Sequence, residues 1–188
     1  MNKANNRRKW HELGPFTIFD TETTGLSPKK NRLVEIAAIR VECDGSQKRY
    51  QSLINPECPI PFRARAVHHI SDDDVRTAPT FFEVGKEFLE FAEDSTLVAH
   101  NAKFDLGFLQ ESLSRYYLPV WEGKTMDTIP VIKSAFPGLP SYSLQNLRVH
   151  FGLGSGFDGP AHRAFADVEW TIEIFAMAMQ GIIDAQTE

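Results

Sequence analysis

Phe16-Thr17-Ile18-Phe19-Asp20-Thr21-Glu22-Thr23-Thr24-Gly25-Leu26 is the stretch on which the reading of this chain turns. Its first half is aromatic and β-branched, the composition of a buried strand, and it ends in charge. At the centre of a sheet such a strand delivers Asp20 and Glu22 to its C-terminal edge. Side chains two apart on a strand share a face, so both carboxylates can reach one cation. Leu33 to Val41 reads as the next strand, reached through the Gly25/Pro28 turn, and Arg49 to Ile54 as a third after the Asp44-Gly45 hairpin signal. An antiparallel meander of three strands follows.

Further along, the pattern becomes helical. After the irregular, proline-rich Pro56 to Pro61, Thr80 and Glu83 form a capping box ahead of an apolar stripe, Phe81, Val84, Phe88 and Phe91. Leu97 to Ala99 is a short strand. The helix after Asn101 aligns Leu109, Leu113 and Tyr116 on one face, which puts Asp105 in its first turn. Met126-Asp127-Thr128 reads as an edge strand and Ser143 to Phe151 as a helix with Leu144, Leu147 and Phe151 inward. Ala164 to Met179 is the last helix, with the stripe Val168, Ile172, Phe175 and Met179, and a glycine-rich loop from Gly152 to Pro160 precedes it. Positions five apart on a helix differ by about 140°. His162 is therefore assigned to the loop or its junction, and Asp167 to the first turns of the helix. The fold class is α/β: a mixed sheet, antiparallel meander plus parallel strands, flanked by helices. One domain is read over residues 1–188, with a core at about 14–179, an N-terminal extension and a C-terminal tail.

A hydrophobic fraction of 42% with 24% charged residues is that of a globular chain, and no apolar run approaches the ~20 residues that span a bilayer. No apolar segment follows the basic N-terminus as it would in a secretory signal, and the expectation is a cytoplasmic protein. Cys43 and Cys58 form no Cys-x-x-Cys pair, which fits reduced thiols without a metal role. The net charge of −5 weighs against nucleic-acid binding by bulk electrostatics. Cations held by carboxylates reverse the local field, however, and an enzyme gripping a strand end needs few phosphate contacts.

Three blocks carry the chemistry: Asp20-Thr21-Glu22, His100-Asn101-Ala102-Lys103-Phe104-Asp105 and His162-Arg163-Ala164-Phe165-Ala166-Asp167. Carboxylates brought together repel unless divalent cations sit among them, and hard cations favour carboxylate oxygens. His162 adds a group that takes a proton near neutral pH. Each block alone is weak. In this order, Asp-Thr-Glu-Thr-Thr-Gly-Leu, then His-Asn-x-x-Phe-Asp, then His-x₄-Asp, the chain resembles the DEDDh 3′→5′ exonucleases, a ribonuclease H-like family, from about Gly14 to Met179. Its pattern is most similar to the epsilon-type proofreading members.

The resemblance implies two divalent cations, Mg²⁺ or Mn²⁺, about 3.5–4 Å apart and holding the attacking and leaving oxygens of a phosphodiester. Asp20 would bridge both ions, Glu22 and Asp167 would complete the shell of the first, Asp105 would hold the second directly or through water, and His162 would act as general base. It also implies that the backbone at Thr23 and Thr24 holds the terminal nucleotide, that Leu26 and Phe104 pack on bases, that Asn101 bonds sugar or phosphate, and that His68 contacts substrate. Two positions depart from the family pattern: His69 stands where glycine is usual, and Arg63 where epsilon-type members carry glutamate.

The expected partner is a nucleic-acid 3′ end, single-stranded or frayed, with DNA favoured; an exoribonuclease or oligonucleotide nuclease is the alternative, and a non-catalytic module binding nucleic acid or a polymerase a more distant one. A DNA polymerase is a further expected partner, but only nine residues follow Met179, and a stand-alone enzyme is weighed at least as heavily as a polymerase subunit. Of the remaining features, His100 and His150 are read as structural, His11 as part of a frayed terminus, Ser71 and the acids after it as a helix N-terminus, and Phe157 as a substrate contact.

Overall fold

Apolar residues alternating with period two along the central strands decide which helices pack where. The computed structural model describes residues 8–154 and 163–187; His162, Phe157 and the rest of the glycine-rich loop lie outside them. Strands β1 (Phe16–Thr23), β2 (Leu33–Val41) and β3 (Gln47–Leu53) form the antiparallel meander, while β4 (Thr96–Ala99) runs parallel to β1 and β5 (Thr125–Asp127) parallel to β4. The order across the five-stranded sheet is β3-β2-β1-β4-β5. The helices are α1 (Phe62–His68), α2 (Asp72–Val75), α3 (Phe81–Ala92), α4 (Ala102–Arg115), α5 (Thr128–Ala135), α6 (Leu144–Phe151) and α7 (Ala164–Ala185).

Phe19, Ile36, Ala38, Leu97 and Ala99 face Phe81, Val84 and Phe88 of α3 and Phe108, Leu109 and Leu113 of α4. Their neighbours Phe16, Ile18, Ala37, Ile39 and Val98 face Val168, Ile172 and Phe175 of α7 on the other side. A second stripe of α7, Ala166, Trp170, Ile174 and Ala178, packs with Ile132 of α5 and Leu147 of α6. This helix is buried on two faces, and for that reason it is the longest helical element among the described residues.

The expected capping boxes are formed at Thr80/Glu83 and at Ser71/Asp74. Several boundaries differ from expectation. Strand β3 begins and ends earlier than Arg49 to Ile54, because Gln47 and Lys48 already pair with Val41 and Arg40. Thr128 is not in a strand but opens α5, whose first amides are capped by the Asp127 side chain through Ile129 N at 2.9 Å. Pro130 falls in that first turn, where a missing N–H costs nothing. Helix α7 continues past Met179 to Ala185. His11 is not frayed: Trp10–Leu13 is a 3₁₀ turn in which Trp10 stacks on Phe16 at 5.8 Å and meets Phe175 at 5.7 Å, and His11 Nδ1 lies 2.9 Å from the Cys43 carbonyl. In α6, Leu147 is buried, whereas Leu144 and Phe151 are half-buried.

Candidate active site

The alternation along β1 sorts the acidic residues. Asp20 and Glu22 continue the face of Phe16 and Ile18, the side covered by α7, and Asp167 in the first turn of α7 meets them there. One ligand oxygen from each of Asp20, Glu22 and Asp167 lies within 4.8 Å of the others. Thr21 takes the opposite parity, toward α4. Asp105, in the first turn of α4, accepts hydrogen bonds on Oδ1 from the Thr21 amide at 3.0 Å and the Thr21 hydroxyl at 2.7 Å. Asp105 is thus anchored to the backbone of the strand that carries Asp20 and Glu22.

The electrostatics follow from burial and crowding. Burial, then Asp105, Asp167 and the other nearby acids, hold Asp20 well above the usual carboxylate range. Burial, followed by Asp167 and Glu35, pushes Glu22 up to about 9, with Arg163 opposing. Burial raises Asp105 to about 7 against the pull of its two Thr21 bonds. Such a group of oxygens retains protons at neutral pH unless a cation replaces them. All-carboxylate donors suit a hard divalent ion, so the residues fit one.

A cleft of about 740 Å³ opens beside Glu22 and is lined by Thr23, Thr24, Leu26, Arg63, His68 and Phe104. Five of the six expected substrate contacts are therefore gathered. Leu26 is 86% exposed at its rim, an apolar side chain left without a packing partner from the core. Both threonine hydroxyls brace the turn, Thr23 donating to the Gly25 carbonyl at 2.7 Å and Thr24 accepting from the Arg32 amide at 2.9 Å. Phe104 rests on Phe108 with centroids 5.0 Å apart. His68 accepts from the Ile70 amide on Nδ1 at 3.0 Å, which leaves its proton on Nε2, and burial lowers its pKa. His69 has φ +61°, the left-handed conformation that glycine adopts without strain, which is the physical reason for glycine at this point in the family pattern.

Asn101, the sixth, sits apart. It lines a second cleft of about 540 Å³ with Asp20, Asp167, Lys133, Tyr142 and Gln145. Its own φ of +62° is held by Asp127, whose carboxylate accepts from the Asn101 amide at 3.2 Å and the Ala102 amide at 3.1 Å. His100, which lines the same cleft, bridges Thr128 and the Tyr142 carbonyl at 2.8 and 2.9 Å. The sequence reading missed the wall formed by Lys133, Tyr142 and Gln145, along with the buried Glu35 and its partner Arg163. A buried glutamate in the apolar run Leu33 to Val41 was the available signal.

A five-stranded mixed sheet with carboxylates converging from β1, α4 and α7 is the architecture of a nuclease. The exonuclease family model matches residues 17–175, and the chain belongs to that family. It is 40% identical to the DNA polymerase III subunit epsilon of Treponema pallidum over 88% of this chain and 76% of the relative, and 37% identical to that of Rickettsia conorii over 87% and 73%. Among solved structures it resembles Exonuclease X in complex with 5′-overhanging duplex DNA, with a TM-score of 0.63, 28% identity, and coverage of 92% of this chain and 91% of that one. Exonuclease I of Escherichia coli in complex with a 5cy-dA13 oligonucleotide shares the fold at a TM-score of 0.73 and 19% identity, over 92% of this chain and 42% of its own. The fold is the ribonuclease H-like one, and the protein is an exonuclease. No helix among the described residues is long and apolar enough to cross a membrane.

Proposed function

We propose that this exonuclease removes nucleotides from the 3′ end of DNA by metal-dependent hydrolysis at Asp20, Glu22, Asp105 and Asp167. The observation that carries the reading is the convergence of three carboxylates within 4.8 Å beside a cleft sized for a nucleotide. Asp20, Glu22 and Asp167 would hold divalent ions, Mg²⁺ or Mn²⁺, with Asp105 acting on a second ion directly or through water. When bound, the ions supply charge neutralisation for the phosphodiester and lower the pKa of the attacking water. His162, five residues before Asp167 in the chain, is assigned as the base that accepts the proton of that water.

Thr23, Thr24, Leu26, His68 and Phe104 would seat the terminal nucleotide, the apolar pair packing on bases without regard to their identity. Asn101, which lines the second cleft, would bond sugar or phosphate. DNA is favoured because the similar epsilon subunits belong to a DNA polymerase and Exonuclease X was solved on duplex DNA. Those relatives also support proofreading beside a polymerase as the biological setting.

The test uses 5′-labelled single-stranded DNA, mispaired duplex DNA and RNA with Mg²⁺ or Mn²⁺. A ladder shortening from the 3′ end, faster on DNA, is the expected result. Preferential loss of RNA would replace the substrate assignment with an exoribonuclease, and release of the 5′ label as a mononucleotide would overturn the polarity.

A further inference from the structure

Glu35 is an acid where an apolar residue would be expected. It is the third residue of β2, with no exposure to solvent, and its Cα partner across the β1–β2 ladder is Glu22. Two acids directly opposite on a sheet repel when both are ionised. The pair is tolerated because the guanidinium of Arg163 sits beside both, bound to Glu35 and close enough to Glu22 to oppose the rise in its pKa.

The bonds of Glu35 are all accounted for. Oε1 accepts from Arg163 Nη2 at 3.0 Å and Gln51 Nε2 at 2.9 Å; Oε2 accepts from Arg163 Nε at 3.2 Å and from the Ala164 amide at 3.2 Å. The Ala164 amide belongs to the first residue of α7, and Arg163, the N-cap, makes no side-chain capping bond of its own. Glu35 therefore caps α7 from a strand 129 positions away in sequence, with its negative charge at the positive end of the helix dipole. The Arg163 carbonyl in turn accepts from the Asp167 amide at 3.3 Å. A rigid path thus runs from β2 through Arg163 and the first turn of α7 to the carboxylate that faces Asp20 and Glu22.

We propose that Glu35 is a positioning residue for the carboxylate centre, fixing through Arg163 and the Ala164 amide where α7 places Asp167. The inference rests on the reading of that centre as a divalent-ion site. Stability alone does not call for a charged residue here, since a buried ion pair is often replaced by apolar groups without loss. Placement of a metal ligand does call for a directional, bidentate hold, and groups that orient ligands typically affect metal affinity or activity 10- to 100-fold.

Glu35→Gln removes the charge with little change in shape, and Arg163→Lys keeps the charge but loses the fork. Both are compared with wild type by titration calorimetry with Mn²⁺ alone, thermal melting, and kcat and KM on single-stranded DNA. Mn²⁺ dissociation constants raised ~10- to 100-fold in the folded variants, with kcat reduced and KM held within about twofold, are the expected result. A helix cap with only a structural role would lower the melting temperature and leave the Mn²⁺ affinity of the folded protein unchanged, and that result overturns the proposal. A changed KM with unchanged Mn²⁺ affinity overturns it as well, since it makes Arg163 a direct substrate contact. If Glu35→Gln does not fold, Arg163→Lys decides by the same readouts. Wild-type protein that binds no Mn²⁺ defeats the metal reading itself, a failure distinct from variants that bind as tightly as wild type.

Discussion

Raising the pH should weaken the metal-free protein, and the site sets the size of the effect. Glu22 is pushed up to about 9 and Asp105 to about 7 in the fold, whereas in the unfolded chain both ionise near pH 4. Folded-state pKa values above the unfolded ones mean that the native protein binds more protons. Stability from these groups is complete below the unfolded pKa and is lost as pH rises through the folded one. At 1.36 kcal/mol per unit, Glu22 gives up about 2.5 kcal/mol between pH 6.5 and 8.5, and Asp105 about 0.8 kcal/mol. His68 and His100, whose pKa values burial lowers, act with the opposite sign. They return part of the loss, whereas Asp20, which burial and its acidic neighbours also hold well above the usual carboxylate range, adds to it. The loss of about 3 kcal/mol from Glu22 and Asp105 corresponds to a drop of roughly 6–12 °C in melting temperature for a chain of this size. Circular-dichroism melts in EDTA at the two pH values measure it, with Glu22→Gln expected to reduce the slope and saturating Mg²⁺ to flatten it. A wild-type melting temperature that is level or rises with pH in EDTA would refute the reasoning, as would a slope that survives intact in Glu22→Gln.

Thr21→Val removes the 2.7 Å bond to the buried Asp105 carboxylate and should cost about 1–3 kcal/mol in urea unfolding. Leu26→Ala, at a side chain 86% exposed on the cleft rim, should leave the melting temperature unchanged while raising KM for single-stranded DNA about tenfold. Trp10→Ala strips the lid from Phe16 and Phe175 and should lower stability by about 2–4 kcal/mol without altering kcat. His162→Ala should bind Mn²⁺ as wild type does yet lose on the order of 10²–10⁴ in rate; unchanged turnover would remove that residue from the reaction.

What could be read from the sequence was what local pattern encodes. Leu33 to Val41 coincides with β2 because a short apolar run rich in β-branched residues suits a strand covered on both faces. The boxes at Thr80 and Ser71 are signals three residues long, and the structure forms both. The acids of β1 follow from strand parity, and Asp105 and Asp167 from their distance to helix starts. Elements that depend on distant partners were not legible. Helix α5 is eight residues long with proline in its first turn and Asp127 as its cap, so it has no stripe long enough to read, and the sequence assigns only its first residue, Thr128, to the preceding edge strand. Helix α1 exposes Phe62 and Val67 and buries only His68, which leaves no stripe to find. The Glu35–Arg163 pair joins positions 128 apart, and nothing within a local window links them.

The central claim is that Asp20, Glu22 and Asp167 gather divalent ions, and the most direct measurement is anomalous diffraction from crystals soaked in Mn²⁺ with a nucleoside 5′-monophosphate. The account requires anomalous peaks bonded to Asp20, one of them shared with Glu22 and Asp167, with the nucleotide base lying against Leu26. An ordered nucleotide with no anomalous peak at Asp20 would contradict it.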